Sequence, residues 1–373
     1  MRASVKTACP WGTPFAVVVA AASILIGCES TETIRVPYDN SNPVVYDNDE
    51  TIDMYTDEYL MALASSGEIH LVGIVTSSAI APYNPDVTSA EYQQMARERE
   101  AMARLARTSG FRHIPNPVRG VAGSLQKPTS GRIEDTNPIG SEGSRLIVKE
   151  ARKASPERPL VVVEGGPLTT IADAYLLDPT IADKVVVAWL GGRLEGGVDD
   201  MGDYNGWSDG WAAYVVLEKL RLVQFPFRRY APSVPKAKLL ELPASPLRDW
   251  MVQKHHPTND LPGEYDEDGP PAISISRPDY PLNVQRVSFS HWVTVHYLEP
   301  HQVPALRVNR DGKALRVATA NRALATEEWW RALKHATAQN RKVTATGVGH
   351  GESTGPGRRG TVLTVEANTK GSK

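Results

Sequence analysis

The sequence predicts an α/β fold: a doubly wound, mostly parallel open sheet with a small β-rich appendage at its C-terminal side. Three observations predict it. Short apolar, β-branched runs recur through most of the chain, at Val44–Tyr46, Leu71–Thr76, Leu160–Val163, Lys184–Leu190 and Leu222–Phe225, as buried strands require. Each ends in a glycine or polar loop and passes into an apolar-periodic helix, the alternation that builds βαβ units. Beyond Pro281 the texture changes. Val284–Leu298 and Ala305–Thr319 alternate like antiparallel strands, with Asn309-Arg310-Asp311-Gly312 as a hairpin turn.

The 373 residues are 41% hydrophobic and 23% charged with a formal net charge of -2. That suits a substantial globular core and gives no electrostatic case for nucleic acid. The two cysteines, Cys9 and Cys28, are too few for a disulfide framework or a cysteine metal site. Arg2 and Lys6 precede the apolar run Phe15–Ile26, which is short for a membrane span and reads as a targeting segment. Leu25-Ile26-Gly27-Cys28 resembles the bacterial lipoprotein box. Its use would lipidate Cys28 and anchor the exported chain to the cell envelope; a plain secretory signal or an uncleaved anchor is the alternative. Residues 28–43 then form a tether. The α/β domain is expected over 44–283, C-terminal strands and a helix over 284–346, and a flexible Gly/Ser/Lys-rich tail over 347–373.

Taken in order, the first strand leads through an acidic loop to a helix with Thr56 as N-cap and Asp57 and Glu58 in its first turn. Leu71–Thr76 follows, so strand, helix and strand form a parallel unit. Thr88-Ser89-Ala90-Glu91 reads as a capping box for a long helix through Arg107, stopped by Gly110, with an Arg/Glu-rich solvated face. Residues 118–142 are rich in Gly, Pro and Ser and read as a long loop of the functional-lid or disordered kind. Short helices follow at Arg145–Ala154, Ile171–Leu177 and Gly210–Leu220, and Lys236–His256 is helical in parts. His255-His256 before a proline read as exposed loop residues. Thr326–Gln339 is a last helix that docks through Trp329 and Trp330.

Four acidic or polar stations sit on loops of one sheet edge: Asp47, Asp49, Asp53 and Asp57; Glu164-Gly165-Gly166; Asn205-x-x-x-Asp209; and Glu267-Asp268. Carboxylates crowded in this way need a cation or bound hydroxyls to compensate them. Loops at the carboxyl ends of strands are where open α/β sheets bind ligands. The stations resemble, in order, motifs of the inosine-uridine-preferring nucleoside hydrolase superfamily. Tyr46-Asp47-Asn48-Asp49 with Thr56-Asp57-Glu58 resembles its Asp-x-Asp-x-x-x-Asp-Asp motif. Glu164-Gly165-Gly166-Pro167-Leu168-Thr169-Thr170-Ile171-Ala172 resembles its Thr-Gly-Gly-Leu-Thr-Asn-Ile-Ala segment. Leu190-Gly191-Gly192 resembles its Met-Gly-Gly, and Asn205 with Asp209 its Asn-x-x-x-Asp.

The resemblance implies a nucleoside-hydrolase-like, Rossmann-like fold and Ca²⁺-dependent hydrolysis of the N-glycosidic bond of a ribonucleoside or related N-glycoside. Asp49, Asp57, the main-chain carbonyl of Glu164 and Asp268 would hold the Ca²⁺. Asp49 would also deprotonate the attacking water, which the metal orients and acidifies. Asn205 and Asp209, with Asp53 or Thr56, would bind the sugar. Three positions depart from the pattern. Thr56 stands for the first Asp of the family's pair, the asparagine after the second strand has only Asn84 as a candidate, and Glu267 replaces a histidine. Glu267 would then have to protonate the leaving base. Two other readings stay open. Asp47-Asn48-Asp49-Glu50-Thr51 fits the first motif of haloacid-dehalogenase-like phosphatases, with Asp47 as nucleophile, Asp49 as general acid and Mg²⁺ as metal. A catalytically silent Ca²⁺/sugar-binding lipoprotein, and assembly as a homo-oligomer, are also compatible with the sequence.

Overall fold

A computed structural model describes residues 33–49, 55–77, 90–196, 204–226, 228–255, 265–296 and 300–346. The targeting segment with Cys28, most of the tether, Asp53, Asn84, the start of the capping box, His256 and the tail lie outside the described residues.

The chain begins β1 (Pro43–Asn48), α1 (Thr56–Ser65), β2 (His70–Thr76), α2 (Ala90–Thr108), β3 (Pro117–Arg119) and α3 (Glu142–Ala151). It continues through β4 (Leu160–Glu164), α4 (Thr169–Leu177), β5 (Val185–Trp189), the two-residue β6 (Arg193–Leu194), α5 (Tyr204–Ser208), α6 (Gly210–Lys219) and β7 (Arg221–Gln224). Then come α7 (Lys236–Glu241), α8 (Pro246–Lys254), α9 (Gly269–Ser276), β8 (Pro281–His296), β9 (Pro300–Val308), β10 (Ala314–Ala320) and α10 (Arg322–Thr346). All ten strands form one sheet, in the order β3-β2-β1-β4-β5-β7-β10-β8-β9-β6.

The period-2 alternation of each strand explains why both faces are covered. Val44, Tyr46, Val161 and Val163 face one apolar layer, with residues of α1, α2, α9 and α10. Val45, Val162 and Val187 face the other, with residues of α3, α4 and α6. β1 and β4 are parallel neighbours, with Asp47 opposite Glu164. From them the order runs outward both ways, to β2 and β3 on one side and to β5 and β7 on the other. The crevice beyond their carboxyl ends is the topological switch point, where such sheets bind ligands.

The C-terminal strands extend the sheet, and the boundary expected at 283/284 falls inside β8. β10 lies parallel to β7, with Leu315 opposite Val223 and Arg316 opposite Gln224, while β8 is antiparallel to both β10 and β9. The turn at 309–312 forms, with Gly312 N–H donating to the Asn309 carbonyl at 2.9 Å. It does not join hydrogen-bonded partners as expected. It carries the chain across β8, because Asn309 N–H donates to the Arg286 carbonyl and Gly312 packs its Cα face against the Val287 backbone.

The long loop after β3 is tied down at several points. Asp209 Oδ2 accepts from Leu125 N–H at 2.8 Å, and Asp173 accepts from the N–H groups of Ile139 (2.6 Å) and Gly140 (2.9 Å). Trp211 Nε1 donates to the Thr136 hydroxyl at 3.0 Å. His255 is buried rather than exposed: its ring stacks on Tyr55 at 6.0 Å and Nε2 lies 3.0 Å from the Val234 carbonyl.

Candidate active site

Two glycines set how closely the loops can converge. A Cβ on Gly165 would lie 2.8 Å from Asp268 Oδ2 and 2.9 Å from the Asn48 side chain, and one on Gly166 would lie 3.0 Å from the Asp49 carboxyl carbon. Only bare backbone lets the end of β4 approach those groups so closely. The late acidic loop therefore reaches the first strand across 220 positions of sequence, and Asn48 Nδ2 donates to Asp268 Oδ2 at 2.9 Å. Asn48 Oδ1 accepts from Asp49 N–H at 2.7 Å, which orients the residue that follows the strand. Asp49, Glu164 and Asp268 thus gather around Gly165–Gly166. Glu267 is buried beside Asp268.

Asp57 is drawn elsewhere. Its Oδ2 accepts from Arg99 Nε at 3.1 Å, an ion pair in which both side chains are buried. Arg99 Nη1 also donates to the carbonyls of Asn48 (2.5 Å) and Val75 (3.3 Å), the ends of β1 and β2. Thr56 is not the N-cap. Tyr55 occupies that position without a side-chain cap. The Thr56 hydroxyl donates to Asp266 Oδ1 at 2.7 Å, and Tyr55 N–H donates to the same oxygen at 3.2 Å. A full carboxylate from a distant loop is the stronger acceptor and takes over the capping of this helix. Its Oδ2 accepts from Trp329 Nε1 at 3.0 Å, so Asp266 joins α1 to α10.

Asn205 Nδ2 donates to the carbonyls of Gly165 (2.8 Å) and Leu190 (2.9 Å), joining the loops after β4 and β5. Asp209 caps α6, its Oδ1 accepting from Ala212 N–H at 2.9 Å. Its Oδ2 accepts from Leu125 N–H and from the Thr169 hydroxyl, each at 2.8 Å. Trp207 and Trp211 are buried with the core.

The electrostatics are those of crowded anions. Burial pushes Asp47 up to about 6, and the nearby Ser77 and Thr170 hydroxyls temper the rise. Even so, neither Asp47 oxygen receives a hydrogen bond of proper geometry among the described residues. Glu164 lies well above the usual carboxylate range, through burial first and then the charges of Asp47 and Asp49. Among the described residues both its oxygens lack a hydrogen-bond partner, as do Asp57 Oδ1 and Glu58 Oε2. Asp57 is raised by burial against the opposing pull of Arg99. Uncompensated hard oxygens of this kind suit a hard divalent cation or bound protons. Asp49 and Asp268 border the glycine cradle and could hold such a cation, while Asp57 already shares its Oδ2 with the Arg99 guanidinium. Among the described residues, no three His, Cys, Asp or Glu side chains are grouped to hold a metal ion. The Glu164 carbonyl accepts from Leu190 N–H at 2.9 Å as part of the sheet, leaving one lone pair.

Two residues escaped the sequence reading. Arg99 lies on the helix whose Arg/Glu-rich face the sequence reads as solvated, yet it shares a buried stripe with Ala96, Ala103 and Ala106. That spacing is the helical signal that could have found it. Asp266 lies in a polar stretch with Glu264, Glu267 and Asp268, and nothing local marks it as a cap for a helix so far away.

Residues 44–248 match the family model described as inosine-uridine preferring nucleoside hydrolase. The fold is similar to that of a plant nucleoside hydrolase, with TM-score 0.54 and 16% identity over 79% of this chain and 99% of that one. It is similar to an inosine-guanosine nucleoside hydrolase, with TM-score 0.54 and 16% identity over 80% and 99%. A purine-preferring ribonucleoside hydrolase from Gardnerella vaginalis gives TM-score 0.53 and 16% identity over 79% and 99%. No curated protein sequence matches the chain.

Proposed function

Because the chain belongs to the inosine-uridine preferring nucleoside hydrolase family, an N-glycoside hydrolase family, we propose that it hydrolyses the N-glycosidic bond of a ribonucleoside with water as nucleophile and a divalent cation, Ca²⁺ or Mg²⁺, as cofactor. One observation carries the reading: Asn48, Asp49 and Asp268 meet around Gly165–Gly166 at the switch point of the sheet.

Asp49, oriented by the Asn48 side chain, takes the proton of the attacking water. Asp49, Asp268 and the Glu164 carbonyl would hold the cation, which supplies a Lewis acid beside the sugar hydroxyls. Asn205 holds the floor of the sugar site by joining the Gly165 and Leu190 loops, and Asp209 fixes the loop at Leu125. Of the two first-loop candidates for a sugar contact, Thr56 gives its hydroxyl to Asp266 and Asp53 lies outside the described residues. Glu267 protonates the departing base, as general acids do when a glycosidic bond breaks. Leu25–Cys28 supports an exported, lipid-anchored location.

The test is base release by the purified protein from inosine, guanosine and uridine with millimolar Ca²⁺, beside a phosphate-ester substrate with Mg²⁺. Base release without phosphate release is expected. Phosphate release alone would favour the phosphatase reading, and neither would leave a binding protein.

A further inference from the structure

We propose that Arg99 is a built-in cation of the site: its guanidinium takes the charge-balancing place at Asp57, so that Asp57 is not a ligand of any divalent ion bound beside it. The inference rests on the cation-dependent reading above and alters its ligand set.

Arg99 donates to a carboxylate, Asp57, and to two main-chain carbonyls, Asn48 and Val75, at 3.1, 2.5 and 3.3 Å. Carboxylate and carbonyl oxygens are the set that a hard divalent ion recruits. Here a guanidinium fills it. Arg99 is fully buried and α2 holds it on an inward-facing stripe, so it is not a surface charge folded in by chance. Its charge is permanent, because guanidinium does not deprotonate in proteins. A divalent ion drawn to Asp57 would meet a like charge at contact distance in a low-dielectric setting, where repulsion is least screened. By contrast, Asp49 and Asp268 border the glycine cradle.

Calcium binding by isothermal titration calorimetry, checked by terbium luminescence, tests the proposal on the full chain without any assay of turnover. Arg99→Met frees Asp57 and, because Ca²⁺ affinity rises with the number of charged ligands, should bind Ca²⁺ tighter than wild type by about tenfold or more, a gain that structural damage does not produce. Asp57→Asn/Arg99→Met removes both buried charges together and should bind as wild type does. Arg99→Lys keeps a positive charge and should show no gain. A double variant that has lost Ca²⁺ binding, or a folded Arg99→Met with no gain, would overturn the proposal. Should Arg99→Met fail to fold, the double variant alone decides. Wild-type protein that releases no base while the variants behave as described would sink the hydrolase reading and leave the role of Arg99 standing.

Discussion

At the residue scale the account turns on what each buried acid touches. Asp49 follows β1 directly and is aimed by the Asn48 side chain. Asp49→Asn should lower kcat about 10²- to 10⁴-fold while leaving the urea midpoint unchanged; a variant that retains most of its turnover would remove Asp49 as the base. Asp209 is placed differently, with both oxygens engaged by Ala212, Leu125 and Thr169. Asp209→Ala removes a helix cap and strands two buried donors, so it should cost about 2–4 kcal/mol in urea unfolding; a loss within experimental error would contradict the cap. The sequence told these two acids apart poorly, because the spacing of Asn205 and Asp209 carries no sign of which faces a ligand. Asp49 was legible through its position after the apolar run Val44–Tyr46, and Asp268, in a polar acidic loop, only through the family resemblance. Arg99 was not, since a long Arg/Glu-rich helix offers many charges and only periodicity singles out the buried one.

At the element scale, close approaches of backbone decide what the loops can do. Gly166 lies against Asp49, and Gly210 at the start of α6 lies against the Gln302 carbonyl of β9. Gly166→Ala must move Asp49 by tenths of an ångström, so it should reduce turnover more than it lowers the melting temperature. Gly210→Ala meets backbone and should do the reverse, costing about 1–3 kcal/mol of stability by overpacking, read by thermal unfolding. Equal effects of the two on stability would contradict this division. The central parallel strands β1, β2, β4, β5 and β7 were legible to within a few residues because both faces of a parallel sheet need unbroken apolar runs, whereas the short β3 and β6 and the helix α9 carried no such signal. The long loop of residues 118–142 was not. Its composition reads as mobile, and what fixes it are Asp173, Asp209 and Trp211, contributed by later helices.

At the scale of the whole molecule, the C-terminal third is part of the same sheet and of the site's surroundings: β10 pairs with β7, and Trp329 of α10 bonds Asp266, which caps α1. The antiparallel C-terminal group expected is present; local patterns show that such strands exist but not which neighbour they choose, here β7 through β10. The buried acids also set a pH dependence. Asp47, Asp209 and Asp266 are each raised from 3.8 to about 6, by burial first. The folded state therefore binds more protons than the unfolded chain between about pH 4 and 6, and stability falls as pH rises through that window, by about 3 kcal/mol for each group. It goes on falling as Glu164 and Glu58, raised further by burial, ionise. In EDTA the urea midpoint should be higher at pH 5 than at pH 7.5; a midpoint that drops steadily on acidification from pH 7.5 would contradict this. The central claim is that the acids gathered at Gly165–Gly166 direct water onto a glycosidic carbon, and hydrolysis of a ribonucleoside in ¹⁸O-labelled water tests it most directly. The account predicts free ribose carrying the label at C1, an unlabelled base, and loss of both products in Asp49→Asn. Release of phosphate from an ester in place of ribose, or labelled ribose at an undiminished rate from Asp49→Asn, would contradict it.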